Sequence, residues 1–221
     1  SLLRVAVLAG GFSGEADVSR RSAAMVMEHI DRSAYDPVLV HIDKDRWWTE
    51  VNGQAVEVNR DTLVVGDDKV DLAFVMVHGT PGEDGLLQAH LDFCGIPHTT
   101  ASARVMATTF HKGWTTALLR DAGMHVARSV ECLPNDAWDD EDERQTLDRV
   151  GLPCFVKPNE SGSSIGVSKV SEAHELWPAV KAARETGTST VLVESLLAGR
   201  EFTCGVIPDG QGGLQALPIT E

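Results

Sequence analysis

Short uninterrupted apolar runs alternate along this chain with longer stretches in which apolar residues recur at helical spacing. Residues 2–8 form the first run, broken only by Arg4, and a glycine-rich segment leads from it into an Ala- and Met-rich helical stretch reaching about Ile30. Residues 38–42 predict a second strand. Residues 71–77 predict a third, so nearly apolar that both faces should be buried in a parallel sheet. A helix follows over 86–94, stopped by Gly95 and Pro97, and another over 102–122, stopped at Gly123. The acidic run from Asp136 to Glu143 predicts a solvated helix through residue 150 rather than a metal site. Cys154-Phe155-Val156 reads as a strand ended by Pro158, which leaves Lys157 at its tip. Beyond it come a helix over 172–183, a strand over 190–194, and two strands, 202–207 and 214–219, joined by a turn-rich segment. Trp47-Trp48 is read as packing.

Composition narrows the class. At 221 residues and 43% hydrophobic, the chain can hold one large or two small cores. No run approaches a membrane span, and the N-terminus enters directly on a strand without a signal-peptide layout, which points to the cytoplasm. A formal net charge of -14 with no basic cluster argues against nucleic acid or an anionic membrane as partner. Any anionic ligand must therefore be held by a few local cations. Cys94, Cys132, Cys154 and Cys204 are far apart in apolar surroundings, the pattern of buried thiols rather than of disulfides or a zinc site.

Three loops carry candidate chemistry. Residues 159–166 hold glycines and serines able to bring N–H and hydroxyl donors to phosphate oxygens, with Lys157 and Lys169 on the flanking strands. An exposed hairpin turn has a similar composition. With Ile165 as its one large apolar residue, this loop is expected to be mobile without an anion. The loop 9–17 follows the first strand, and its Glu15 is either a helix-start carboxylate or a ligand for an ammonium group. The loop 78–85 follows the third strand; its His78 is a site candidate or a donor to a neighbouring carbonyl. Ligands collect outside the carboxyl ends of strands in open α/β sheets, which is where the last two loops should lie. A lone hairpin at the C-terminus needs cover, and no Asp, Glu and Asn cluster beside the phosphate loop could hold Mg²⁺. Both features predict further sequence beyond Glu221.

With these residues in hand, the chain resembles D-alanine-D-alanine ligase, of the ATP-grasp superfamily, nearly end to end. The segment 10–19 (GGFSGEADVS) is similar to the family's first substrate motif and 78–88 (HGTPGEDGLLQ) to its second. Val156-Lys157-Pro158 with 162–166 (GSSIG) matches the phosphate loop, and Glu194 with 199–203 (GREFT) the adenine and ribose segment. His111 stands before Lys112 where relatives usually carry an acidic residue, and Thr99-Thr100-Ala101-Ser102 replaces a common Gly-Ser stretch. The resemblance implies an α/β fold: an N-terminal open parallel sheet flanked by helices (1–100), a central ATP-grasp α+β domain (101–197) and the start of a C-terminal ATP-grasp domain (198–221). The implied activity uses ATP and Mg²⁺ or Mn²⁺ to convert one D-alanine to an acyl phosphate that the amine of a second attacks, giving the peptidoglycan dipeptide. By the same resemblance Glu15 binds the first ammonium, Val18 and His78 line its pocket, and Ser163 orients Glu15 and faces the reacting phosphate. Lys112, Lys157, Ser163 and Ser164 would contact ATP phosphates, Glu194 and Leu197 the adenine, and Glu201 the ribose. A homodimer in the cytoplasm is implied, with no metal ligand in this chain. Two other readings stay open: another ATP-grasp carboxylate-amine ligase, and a catalytically silent nucleotide-binding fragment.

Overall fold

The first apolar run becomes β1 (Leu3–Gly10), and both of its faces are covered. A computed structural model describes residues 2–66, 68–134, 138–186, 188 and 190–221. Because side chains alternate along a strand, Val5, Val7 and Ala9 face one way and meet α1 (Ala16–His29) through Ala23, Val26 and Met27. Ala6 and Leu8 face the other way, toward Leu87 and Leu91 of a helix on the opposite side. Each such fully buried Val or Leu contributes about 1.5–3 kcal/mol.

The sheet continues with β2 (Tyr35–Ile42), β3 (Trp47–Val51) and β4 (Gln54–Glu57). A two-residue ladder, β5 (Val64–Val65) with β6 (Asp68–Lys69), precedes β7 (Leu72–Val75), and α2 (Leu86–Phe93) follows. Strand order is β4-β3-β2-β1-β7, with β1 parallel to β2 and β7. The α/β class is as expected, but β3 and β4 pair antiparallel, so the sheet is mixed rather than wholly parallel. The third strand is also less enclosed than its apolar sequence predicts: β7 lies at the edge, beyond it only an isolated bridge from Ala73 to His98, and most of its residues are half-buried. Trp47 is buried in the core, while Trp48 stacks on His41 with ring centroids 4.2 Å apart.

The helix expected over 102–122 is two helices, α3 (Ala103–Phe110) and α4 (Lys112–Asp121). His111 lies between them with φ -85° and ψ 99°, extended backbone that ends one helix and caps the next. A second sheet follows, built from β8 (Ser129–Cys132), β9 (Cys154–Pro158), β10 (Ser168–Val170) and β11 (Val191–Ser195), in the antiparallel order β10-β9-β11-β8. α5 (Asp140–Val150) and α6 (Leu176–Arg184), the latter entered by a 3₁₀ turn, Ala173–Glu175, close one face over Cys132, Cys154, Val156, Val191 and Val193. Asp136 and Ala137 of the acidic run lie outside the described residues. Its helix opens at the Asp139 cap, whose carboxylate accepts from the N–H groups of Glu141 and Asp142 at 2.9 Å. Pro158 does not stop the ladder at Lys157: it is the last residue of β9 and pairs with Val191, and Asn159 N–H donates to Thr190 O at 2.9 Å, because a proline can lie in a strand where its nitrogen is not needed as a donor.

The chain finishes in an exposed hairpin, β12 (Val206–Pro208) with β13 (Leu214–Ala216), shorter than the apolar runs that form it. None of the four cysteines is in a disulfide. Cys132 and Cys154 are buried, but Cys94 is half-buried and Cys204, near the hairpin, is exposed, so the expectation of four buried thiols holds for two. No helix among the described residues is long and apolar enough to cross a membrane.

Candidate functional site

Period-two alternation builds the floor of the site. On β9 and β11 the residues facing the core are Cys154, Val156, Val191 and Val193, so Phe155, Lys157, Leu192 and Glu194 point to the other face. The register sets Lys157 opposite Leu192 and Phe155 opposite Glu194, leaving Lys157 and Glu194 diagonal neighbours. They form an ion pair, with side chains only 24% and 14% exposed. A cleft of about 560 Å³ opens over this floor. Lys112, Lys157, Ser163, Ser164, Glu194, Leu197 and Glu201 all line it, so one concavity gathers every residue the sequence assigns to nucleotide binding.

Lys112 enters from the first turn of α4. Its Nζ donates to Ser161 O at 2.6 Å and Asn159 O at 3.3 Å, which ties the loop to the helix. Burial and then the neighbouring Lys157 lower its pKa below the usual 10.5. Two cations at close quarters in an acidic chain make a place for a polyanion. Asn159, fully buried, organises the join: its Oδ1 accepts from Gly113 N–H at 2.9 Å, and its amide nitrogen lies 2.9 Å from His111 Nε2. His111 in turn accepts from Trp114 N–H on Nδ1 at 3.1 Å and stacks on that indole. The ring therefore caps α4, a role a carboxylate would also fill.

Beside this cleft lies a hollow of about 410 Å³ lined by the loop after β1 (Phe12, Ser13, Gly14, Glu15), by Gly79 and Thr80, and by Glu160, Ser161 and Ile165. The loops interlock. Phe12 N–H donates to Thr80 O at 2.8 Å, and Ser13 Oγ donates to His78 O at 3.1 Å. Glu15 is only 7% exposed, and its carboxylate accepts from Ser163 Oγ at 2.7 Å, a bond spanning the two sheets' loops. Gly162 permits this approach, since a Cβ there would stand 2.7 Å from Glu15 Oε1. Ser163 and Ser164 hold φ of 50° and 56°, a left-handed turn that costs about 1–2 kcal/mol per residue for a side chain other than glycine. Val18 and His78 are half-buried and are not among the residues lining either concavity; His78 Nε2 is 3.4 Å from Ser22 Oγ on α1.

Asn159, His111 and Phe155 are absent from the residues the sequence singled out for the site. Phe155 was recoverable, because it shares the parity of Lys157 on an alternating strand. Nothing in the order of residues marks Asn159, whose partners are 46 and 48 positions away.

The carboxylates around the cleft do not converge on a common point. Among the described residues the one group of three metal-ligating side chains lies elsewhere, at Asp61, His90 and Cys94. Two lysines and a serine-rich loop suit the cleft to a polyanion, and among the described residues the three-ligand group lies outside it.

Comparison with known proteins agrees with this arrangement. Family models described as D-ala D-ala ligase N-terminus and D-ala D-ala ligase C-terminus match residues 4–65 and 118–221. A D-alanine--D-alanine ligase of Porphyromonas gingivalis is 39% identical over 98% of the chain. The chain spans 66% of that relative's length. D-alanyl-alanine synthetase A of Vibrio cholerae superposes with a TM-score of 0.85 at 24% identity, over 99% of this chain and 66% of that one, which shows the shared fold. The Bacillus anthracis D-alanine--D-alanine ligase complexed with ATP superposes at 0.77 with 27% identity, over 98% and 66%. Matched at both ends by the family's models and related to curated members over nearly its whole length, the chain belongs to the D-alanine--D-alanine ligase family.

Proposed function

We propose that this chain binds ATP in the cleft over β9 and β11 and a D-alanine in the neighbouring hollow, as part of an ATP-dependent ligase that makes D-alanyl-D-alanine for peptidoglycan. The observation that carries the reading is the convergence of seven assigned nucleotide residues on one cleft, joined to Glu15 by Ser163. The ammonium of Lys157 has three donors; one serves Glu194 and the others face phosphate oxygens. Lys112 adds the second charge, and the serine loop supplies N–H and hydroxyl donors, so the γ-phosphoryl group is positioned and its spread charge neutralised. Glu194 retains acceptor capacity for an adenine amino group, with Leu197 against the ring and Glu201 near the ribose. Glu15, nearly buried, is the counterion for the substrate ammonium, and Ser163 holds it facing the reacting phosphate. Val18 and His78 border that pocket by family resemblance.

The carboxylate oxygen of the first D-alanine takes the γ-phosphoryl group and ADP leaves. The amine of the second then attacks the acyl carbon and phosphate departs. Mg²⁺ or Mn²⁺ belongs to the same reading and, when bound with ATP, would neutralise phosphate charge alongside Lys112 and Lys157. Division of the chain at about residues 100 and 197 is supported by the two separate sheets and the exposed final hairpin. A cytoplasmic homodimer is carried over from the resemblance and is checked by sedimentation.

Calorimetric titration with Mg-ATP tests the cleft, with one site expected. Phosphate release measured with D-alanine against a panel of other amino acids separates this ligase from other ATP-grasp carboxylate-amine ligases. The chain's coverage of 66% of its relative favours one further reading, a silent nucleotide-binding fragment, for which ATP binds and no phosphate is released.

A further inference from the structure

On the face of the first sheet that α2 covers, His90 and Cys94 lie one helical turn apart at the end of that helix, so their side chains share a face. Asp61 reaches the same point from the turn before β5. His90 Nε2 is 3.8 Å from Cys94 Sγ and 3.6 Å from Asp61 Oδ1, and the three ligand atoms lie within 4.8 Å of one another. Zinc bonds of about 2.3 Å to sulfur and 2.0–2.1 Å to nitrogen and oxygen, at tetrahedral angles, place such atoms about 3.3–3.6 Å apart. The two His90 pairs need a contraction of tenths of an ångström, and the Asp61 and Cys94 ligand atoms, within 4.8 Å of each other, close by up to about 1.3 Å as the exposed Asp61 side chain turns.

The alternative for Cys, His and Asp together is a nucleophilic triad, and the connectivity argues against it. In a triad the acid and the nucleophile use opposite ring nitrogens. Here the sulfur, the carboxylate and Arg60 O, 3.0 Å away, all converge on Nε2. With sulfur and carboxylate on the same ring nitrogen, all three ligand atoms can turn toward one cation once Nε2 exchanges its contact with Arg60 O for the metal.

The supports are also in place. Asn59 Oδ1 accepts from Asp61 N–H at 3.0 Å and Thr62 N–H at 3.1 Å, which fixes the turn. The buried Trp47 packs edge-on against the His90 ring, with centroids 5.6 Å apart, and sets its plane. Cys94 packs on the core.

We propose that Asp61, His90 and Cys94 form a zinc site with a fourth position open to water. The Cys94 thiol gives its proton to solvent on binding, and the thiolate and carboxylate together balance the charge of Zn²⁺. Its effect is to clip the turn before β5 to α2, whose first turn adjoins the loop carrying Gly79 and Glu83.

Competition of the metal-stripped 221-residue chain with a chromophoric chelator for Zn²⁺ tests this, with Co²⁺ as a spectroscopic substitute. One Zn²⁺ per chain and a sulfur-to-cobalt absorption band are expected. Cys94→Ala should lower affinity by about 100-fold or more and remove the band, while His90→Gln and the exposed Asp61→Asn each lower it at least about tenfold. Cys204→Ser should change neither. Melting of each metal-free variant checks folding, and Asp61→Asn decides the matter if Cys94→Ala is unstable. Undiminished affinity in Asp61→Asn, a band surviving Cys94→Ala or lost in Cys204→Ser, or no competition with the chelator would overturn the proposal.

Discussion

Asn159→Ala removes the side chain that joins the phosphate loop to α4. Gly113 N–H then loses its acceptor in a fully buried setting, at about 1–3 kcal/mol, and His111 loses the amide beside its ring, at about 0.5–1.5 kcal/mol. The sum is about 1.5–4.5 kcal/mol, and for a chain of this size about 2–4 °C of Tm accompanies each kcal/mol, so a fall of about 3–18 °C is expected in the ligand-free protein. Lys112 depends on the same join through the carbonyls of Asn159 and Ser161, and misplacing one charge-assisted hydrogen bond raises the Kd for ATP about tenfold. Asn159→Asp keeps an acceptor for Gly113 N–H at a helix N-terminus, where negative charge is favoured, and should destabilise less. Differential scanning calorimetry gives the first quantity and isothermal titration the second. A Tm for Asn159→Ala within about 1 °C of wild type, or Asn159→Asp the worse of the two, would refute the reasoning.

Three further outcomes are expected. Lys157→Ala should weaken ATP binding by about 1.5–3 kcal/mol and also lower Tm, since Glu194 is left unpaired in a largely buried place; adding Glu194→Gln should recover Tm without recovering affinity, read by calorimetry and titration. Glu15→Gln keeps an oxygen to accept from Ser163 but loses the charge, so D-alanine binding should fall while ATP affinity changes little; unaltered D-alanine affinity would make Glu15 a helix-start carboxylate only. Burial holds the pKa of His41 below its ordinary 6.5, with Asp43 and Glu50 opposing and Arg20 adding to the shift. Between that lowered value and 6.5 the unfolded chain binds more protons, so stability should rise with pH through this window and be lost on acidification; denaturant titrations at several pH values should show a shallower slope in His41→Gln.

Much of this protein was legible in the order of its residues, because the rules that apply there are local. Alternation, helical spacing and glycine or proline punctuation located β1, β2, α1, α2, β9 and β11 to within a few residues. The four motif segments pointed to the right family, and their nucleotide residues meet in one cleft. Where boundaries moved, tertiary partners moved them. His111 breaks what reads as one helix because its ring finds Asn159 and Trp114, and Pro158 stays in β9 because β11 pairs with it from the side its missing N–H does not serve.

Sequence by itself determined β1, β2, β7, β9 and β11, the parity that puts Lys157 and Phe155 on one face of β9, and the small polar loop between two lysine-bearing strands, while β3, β4 and β8 carried no apolar run distinct enough to read. Only the tertiary structure decided what those pieces touch. The Ser163 to Glu15 bond joins residues 148 positions apart, the Lys157–Glu194 pair follows from the β9–β11 register, and Asp61 meets His90 and Cys94 through the packing of a turn on α2. Long-range contacts of this kind depend on register and packing, which many distant residues fix jointly, and so no window of the sequence contains them.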